Sequence, residues 1–497
     1  MKIKTRLRHP ATLFFSLSFV IAILSWIANS YGASTINPSD GSDIVVQSML
    51  SAEGARWMLR NVFVNFSSFR PLGLVLIGLL GLGITMHSGF VDALLRKFLG
   101  QNPRRSLVIV CVIVAGMLAN VIGDVGYIFL LPLSARLFQT VKLPPVVGVI
   151  TGYVSLACAY SANLMLATMD PILANTTIQA LAQSNITSYT MTPLSNYLFM
   201  AVSVPVLTMV IYYITVRYLI PQWNSENQAL DSVETSSFTV ASSSSSSSSE
   251  QPRTFLATYE SRALRITGIV AALYIIVLCL ATFLPNGFLR GVDGSILRSP
   301  LIQSALFLII FGLGMCGIVY GFTVGHYHND RDILEGMGYY GQLLSQYIVI
   351  VFFASMMIAV MNYTQLGEYL TIYSAGWIER LQIGTIPTLF IFVLYVALVN
   401  LLIGSASAKW ALMAYIFIPY FADRGLDPAI VQCAYRIGDS ATNGITPFFY
   451  YLPLFIVLVR QYQPRTTTSH IINYLWRYIL AILTVWLLML GIWLVCI

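Results

Sequence analysis

Asn120-Val-Ile-Gly-Asp124 and Asn400-Leu-Leu-Ile-Gly-Ser405 decide the fold, because each interrupts an apolar stretch too long for one membrane crossing. A helix over Ser106–Ser134 would measure about 43 Å at 1.5 Å per residue, against a hydrocarbon core of about 30 Å. Arg104 and Arg105 precede this stretch, and Arg136 and Lys142 follow it. Basic residues at both ends make residues 106–135 a re-entrant hairpin that enters and leaves on one side. Residues 386–422 repeat the pattern, flanked by Glu379/Arg380 and Asp423/Arg424.

Each hairpin is followed by a proline-initiated apolar stretch with a polar interruption. Residues 144–181 carry Ser161-Ala-Asn163, and residues 428–459 carry Ser440 to Pro447 with Ala441-Thr-Asn443 inside it. Both read as broken helices. Asn120 to Asn163 and Asn400 to Asn443 are each 43 positions apart. Equal spacing, equal order and opposite entry sides make an inverted repeat, an architecture of secondary transporters whose discontinuous helices meet near the bilayer midplane.

Composition fixes the solvent. Apolar residues make up 57% of the 497 residues and charged ones only 9%, a balance that excludes a soluble globular domain. The net charge of +7 resides in short loops beside apolar segments, where lysine and arginine set topology, so no nucleic-acid partner is expected. Cys111, Cys158, Cys279, Cys316, Cys433 and Cys496 stand singly in apolar segments and read as small core residues.

With a basic N-terminus inside, Ala11–Ala28 reads as a first transmembrane helix in preference to a signal peptide. A polar outside stretch then runs from Ser30 to Arg60, and Pro71–Leu95 returns. Asn196–Ile220 closes the first half, residues 1–221. Residues 222–257, with serines at 242–249, read as a flexible cytoplasmic linker. The second half, residues 258–497, holds spans at Ala263–Leu284, Pro300–Gly325 and Tyr339–Met361, a short inside loop at His326–Arg331, the second hairpin and broken helix, and a last span ending outside at Cys496. The expectation is an all-α integral membrane protein forming one transport domain, with nine transmembrane helices and two re-entrant hairpins.

Five charges lie inside the repeat: Asp124, Asp170, Lys409, Arg436 and Asp439. A charge at the bilayer centre costs about 2.5 to 3.5 kcal/mol on insertion scales, so each needs a pathway or a partner. Arg436 and Asp439 are three apart on one helix face and read either as an ion pair or as an arginine fork for a substrate carboxylate beside a titrating acid. Lys409 reads as snorkelling toward the interface. Ser161, Asn163, Ser440, Thr442 and Asn443, with Asn120 and Asn400 at the tips, supply hard oxygen ligands suited to sodium, and half-helix N-termini suit an anion.

Gly404-Ser-Ala-Ser-Ala-Lys-Trp410, Ala434-Tyr-Arg-Ile-Gly-Asp-Ser440 and Thr442-Asn443 resemble the signature of the p-aminobenzoyl-glutamate transporter (AbgT) family. Asp124-Val-Gly-Tyr127 and Ser161-Ala-Asn-Leu164 leading to Asp170-Pro171 extend the resemblance to nearly the whole chain. It implies a homodimer in the bacterial inner membrane that moves p-aminobenzoyl-glutamate or related folate fragments coupled to a cation, with sulfonamide export by some members. Matching positions are Asp170, Asn400, Ser407, Trp410, Pro428, Arg436 and Asp439. Substrate contacts are therefore expected from Trp410, Arg436, Ser407, Pro428, Asn163 and Asn443. Cation coupling is expected from Asp170, Asp439, Asn400, Asp124, Asn120 and Thr442, with sodium near Asn400, Asp439 and Asn443. No organic cofactor is implied. The sequence departs from the family pattern at Cys158-Ala-Tyr160, Leu166-Ala167 and Gly444-Ile-Thr-Pro447.

Two rival classes remain open on residues alone. Gly404-Ser-Ala-Ser407 evokes an intramembrane hydrolase, but His9, His87, His326, His328 and His470 all fall outside the repeat, leaving Lys409 as the sole nearby base. Re-entrant hairpins also line channels, which unlike a carrier would not saturate.

Overall fold

A computed structural model describes residues 9–100, 103–186, 188–225, 253–284, 287–291, 299–381, 383–464 and 466–496. The serine run 242–249 and the basic residues before His9 lie outside the described residues. Seven described helices are long and apolar enough to cross a membrane. The hairpins and broken helices are built from shorter pieces.

The chain opens with α1 (Pro10–Ser30), whose Pro10 sits where a helix has no N–H to lose. The stretch expected to be a polar outside loop holds a two-stranded ribbon, β1 (Ser34–Ile36) and β2 (Asp43–Val45), and then α2 (Ala52–Ser67). Ser51 caps α2 by accepting from Gly54 N. Together with α3 (Arg70–His87) it makes one long bent element. A short amphipathic α4 (Phe90–Leu99) follows.

The first hairpin is α5 (Arg105–Ala119) and α6 (Val125–Thr140), joined by a tight turn at Asn120–Ile122 and Gly123. At 15 and 16 residues, each arm is about 22–24 Å long and stops short of a full crossing. Gly123 has φ +67°, a conformation only glycine adopts freely, and it reverses the chain here. The first broken helix is α7 (Pro145–Ala157) and α8 (Met169–Gln183). Its gap is wider than Ser161–Asn163 suggested. α9 (Tyr197–Ile214) continues through a π-helical turn at Thr215–Leu219 and stays helical to Ser225, so the first residues assigned to the linker are helical.

The second half begins with α10 (Arg253–Phe283), so the linker's last residues, 253–257, are helical too. After a turn of helix at Pro300–Gln303 come α11 (Ala305–Val324) and α12 (Asp330–Met337). α12 starts on an Asn329/Asp332 capping box inside what read as a bare loop. α13 (Gly341–Thr364) and α14 (Leu366–Glu379) lead to the second hairpin, α15 (Thr385–Val399) and α16 (Ala406–Ala422). The second broken helix is α17 (Pro428–Ala441) and α18 (Leu452–Tyr462), and α19 (Thr468–Cys496) ends the described chain.

Packing exposes the inversion. α7 lies against both arms of the first hairpin, and α17 lies against both arms of the second. The outer pieces cross between the halves: α8 packs on α16, while α18 packs on α7 and α13 and touches α6 more lightly. Each half therefore completes the other's hairpin, and the two gaps meet. A Cβ at Gly444 would come within 2.5 Å of Cys158 Sγ, so one gap's backbone approaches the other where only glycine fits. Two of the departures from the family pattern thus touch each other.

Candidate functional site

The gaps leave backbone polar groups without helical partners inside the membrane, so side chains must meet them. In the second half Asn400, at the hairpin tip, does this. Its Nδ2 faces Asp439 O at 2.7 Å, Asn443 Oδ1 at 2.8 Å and Thr442 Oγ1 at 3.0 Å, three acceptors for two hydrogens. Thr446 Oγ1 donates to Asn400 O at 3.0 Å, and Thr442 Oγ1 donates to Ala397 O at 3.0 Å. The tip is thereby stitched to the gap.

Lys409, on the first turns of α16, does not snorkel. Its side chain is fully buried, and Nζ donates to Asn400 Oδ1, pairs with Asp439 Oδ1 at 2.6 Å and donates to Ile403 O at 3.1 Å. The reason is geometric: α16 starts at the hairpin tip, so its first turns point into the protein centre and not toward the interface. Three oxygens surround the ammonium as they would a bound monovalent cation.

Arg436 does not pair with Asp439, three residues away on its own helix. Its Nη1 reaches Asp170 Oδ1 on α8 at 2.6 Å, with both side chains nearly buried. Asp170 lies in the first turn of α8, where Oδ2 accepts from Ala167 N at 2.6 Å. This ion pair joins the two halves directly, and Ser440 Oγ donating to Ser161 Oγ at 2.8 Å repeats the link from gap to gap. Arg436 Nε makes no hydrogen bond among the described residues. Arg436 borders a crevice of about 10 Å³, shared with Asn163, Asp170 and Tyr197, with room for about one water.

The first half is looser. Asn120 Nδ2 donates to Leu156 O at 3.1 Å, while its buried Oδ1 has no hydrogen-bond partner among the described residues. Asn163, once its amide is oriented by its neighbours, donates to Met117 O at 2.8 Å. Asp124 stands apart from the buried charges: it is partly exposed and pairs with Arg70, at the start of α3, at 3.0 Å. Arg70 has one weak signal in the sequence, a lone arginine before Pro71 at the mouth of a span.

Trp410 and Ser407 share α16 with Lys409, whereas Pro428 opens α17 eight residues before Arg436, about 12 Å along the helix from it. Trp410 is fully buried, lies 4.4 Å from the Tyr435 ring, and Nε1 donates to Thr177 Oγ1 at 3.1 Å and Leu173 O at 3.2 Å. Gln432 Nε2 also donates to Thr177 Oγ1, and Asn196 donates to Gln432, so Trp410 is one end of a polar chain tying α8, α16 and α17 together. Sequence reading missed Gln432, Thr177 and Asn196, whose role exists only once the halves meet. Ser407 Oγ lies 3.4 Å from Ser405 Oγ, and Pro428 opens α17 beside its Asp427 cap. Lys409 Nζ makes its contacts with Asp439, Asn400 and Ile403 and not with Ser405 or Ser407.

Comparison with known proteins agrees with this architecture. The model of the AbgT putative transporter family matches residues 2–497. The p-aminobenzoyl-glutamate transport protein of Escherichia coli (strain K12) is 29% identical, over 99% of this chain and 93% of that protein. Among solved structures, the YdaH transporter of Alcanivorax borkumensis, described as having an unusual topology, is 32% identical with a TM-score of 0.52, covering 98% of each chain. MtrF of Neisseria gonorrhoeae, described as illuminating a class of antimetabolite efflux pumps, is 31% identical with a TM-score of 0.50, covering 98% of this chain and 96% of that one.

Proposed function

Because the chain belongs to the AbgT family of transporters and is a multi-pass membrane protein, we propose that it is a cation-coupled secondary transporter of p-aminobenzoyl-glutamate or related folate catabolites and antimetabolites such as sulfonamides. The observation that carries this reading is the pair of buried ion pairs, Arg436–Asp170 and Lys409–Asp439, set where two interrupted helices meet. Buried pairs are poor stabilisers, because desolvation offsets most of their attraction. Four charges gathered at the centre of a membrane protein are better explained by a charged cargo.

The arginine fork of Arg436 has an unspent donor at Nε, so a substrate carboxylate arriving there gains a charge-assisted hydrogen bond without first breaking one. The crevice beside it is far too small for such a substrate, so binding requires the hairpins to part. Asp439 and Lys409 form the coupling element. A proton taken by Asp439 releases Lys409; alternatively, sodium takes the oxygens of Asn400, Asp439 and Asn443 when the ammonium leaves them. Thr442, Asn120 and Asp170 complete the cation-responsive set, with Asp124 at the outer tip. Trp410, Ser407, Pro428, Asn163 and Asn443 shape the substrate side.

Coupling has an energetic rationale. Inward movement of one negative charge against 100 mV costs about 2.3 kcal/mol, which co-transported cations offset. Arg96 pairs with Glu260 at 2.5 Å and Arg136 with Asp92 at 3.8 Å, and these basic residues belong on the cytoplasmic side of the bacterial inner membrane. That orientation puts the N-terminus in the cytoplasm and the C-terminus in the periplasm. The working unit is a homodimer.

The test is uptake of radiolabelled p-aminobenzoyl-glutamate into proteoliposomes under separately imposed sodium and proton gradients. Saturable, gradient-driven uptake that Asp439→Ala and Arg436→Ala abolish is expected. Linear, gradient-independent flux would indicate a channel instead.

A further inference from the structure

If the centre is closed, substrate needs another place to be recognised first. A cleft of about 240 Å³ lies between α2, α3 and α13, open beside the first hairpin. A cavity of about 150 Å³ accepts a benzene ring, so this cleft accommodates a substituted one. Its lining is selective in kind. Trp57 and Tyr363 stack with ring centroids 4.3 Å apart and planes at 26°, forming an aromatic platform. Arg70 supplies a guanidinium, Asn362 an exposed amide and Tyr450 a further aromatic edge. Asn65 Nδ2 is buried here with no hydrogen-bond partner among the described residues. A buried orphan donor of this kind calls for an acceptor.

The cleft is also wired to the repeat. Arg70 Nη2 lies 3.0 Å from Asp124 Oδ2 at the first hairpin tip, and the two side chains are 75% and 31% exposed. So solvated a pair exchanges partners easily. Tyr450 adjoins Tyr451, which stacks on Tyr127 of α6 at 4.5 Å and 5°. Cleft, tip and second gap therefore share one set of contacts.

We propose that this cleft is an entry site for aromatic carboxylates, an inference that rests on the transport reading above. The ring lies on the Trp57–Tyr363 platform, Asn65 donates to a carbonyl or carboxylate oxygen, and Arg70 trades Asp124 for the substrate carboxylate. Loading the cleft thus frees the first hairpin tip. The cleft is separate from the Arg436 crevice, which it feeds.

The test is equilibrium binding of radiolabelled p-aminobenzoyl-glutamate and p-aminobenzoate to the purified full chain in nanodiscs, with uptake measured in parallel. Arg70→Gln should weaken both ligands about tenfold or more, the loss of one charge-assisted contact. Trp57→Ala should weaken both about three- to tenfold through lost stacking. Asp124→Asn removes the competing carboxylate and should tighten binding severalfold, a change of sign that a structural role would not produce. Arg70→Lys should recover part of the affinity.

Unchanged dissociation constants in Arg70→Gln and Trp57→Ala, with wild-type uptake intact, would overturn the cleft and leave the transport reading standing. Binding of neither aromatic carboxylate by the wild type would also overturn the cleft. The transport reading would then be judged by gradient-driven flux of a sulfonamide. Should Arg70→Gln or Trp57→Ala fail to fold, Asp124→Asn decides alone, and no tightening in it overturns the proposal.

Discussion

The two hairpin tips are built on one plan and finished differently. Asn400 is saturated by the second gap and by Lys409, whose ammonium is fully buried against Asp439. Asn120 holds its gap by one bond to Leu156 O and leaves a buried oxygen unmet, while the acid beside it, Asp124, faces outward to Arg70. The inverted repeat therefore supplies symmetric backbones and asymmetric chemistry. One tip is clamped by its own tethered cation, and the other has free acceptor capacity and a solvated ion pair. A carrier needs such inequality, since two equally locked tips would leave nothing for a ligand to change.

Removing one buried charge should disturb the second tip more than any other change. Lys409→Met should destabilise the protein by about 3–5 kcal/mol, because Asp439 is left buried and uncompensated. Thermal melting of the purified protein by intrinsic fluorescence checks this, and a melt equal to the wild type would mean the second tip is not clamped. Asp170→Asn weakens the bond between halves and strands Arg436; the same assay should register about 2–4 kcal/mol. Asn400→Ala should cost about 2–3 kcal/mol against about 1 kcal/mol for Asn120→Ala, the gap between several lost bonds and one. Equal costs would erase the asymmetry. The smallest effect belongs to Asp124→Asn, about 0–1 kcal/mol in stability, because its pair with Arg70 is solvated.

The architecture was largely legible in the sequence because membrane physics leaves few solutions. Overlong apolar stretches, their polar interruptions and the matched 43-residue spacing specified the paired hairpins and gaps that α5–α8 and α15–α18 form. Short pieces were not legible: α2 and α12 are amphipathic helices whose start depends on caps, and α14 lies in a mixed stretch whose helicity depends on its neighbours. The charges were found, but not their partners. Spacing along one helix suggested Arg436 with Asp439, whereas Arg436 meets Asp170 from the other half and Asp439 meets Lys409. Sequence separation within a helix gives candidate neighbours; exchange of α8 and α18 between the halves chooses among them. Sequence alone sends Lys409 toward the interface for the same reason, since its depth depends on where the hairpin turns. Trp410 carries a local signal for stacking, but the ring it meets is Tyr435.

We propose that the buried charges serve coupling and not stability. The most direct measurement is gradient-driven uptake by the double variant Lys409→Met/Asp439→Leu, with its melting temperature taken on the same preparation. Replacing both charges by apolar side chains should restore a melting temperature near that of the wild type while uptake stays at background. A double variant that accumulates substrate under either gradient as the wild type does would contradict the account.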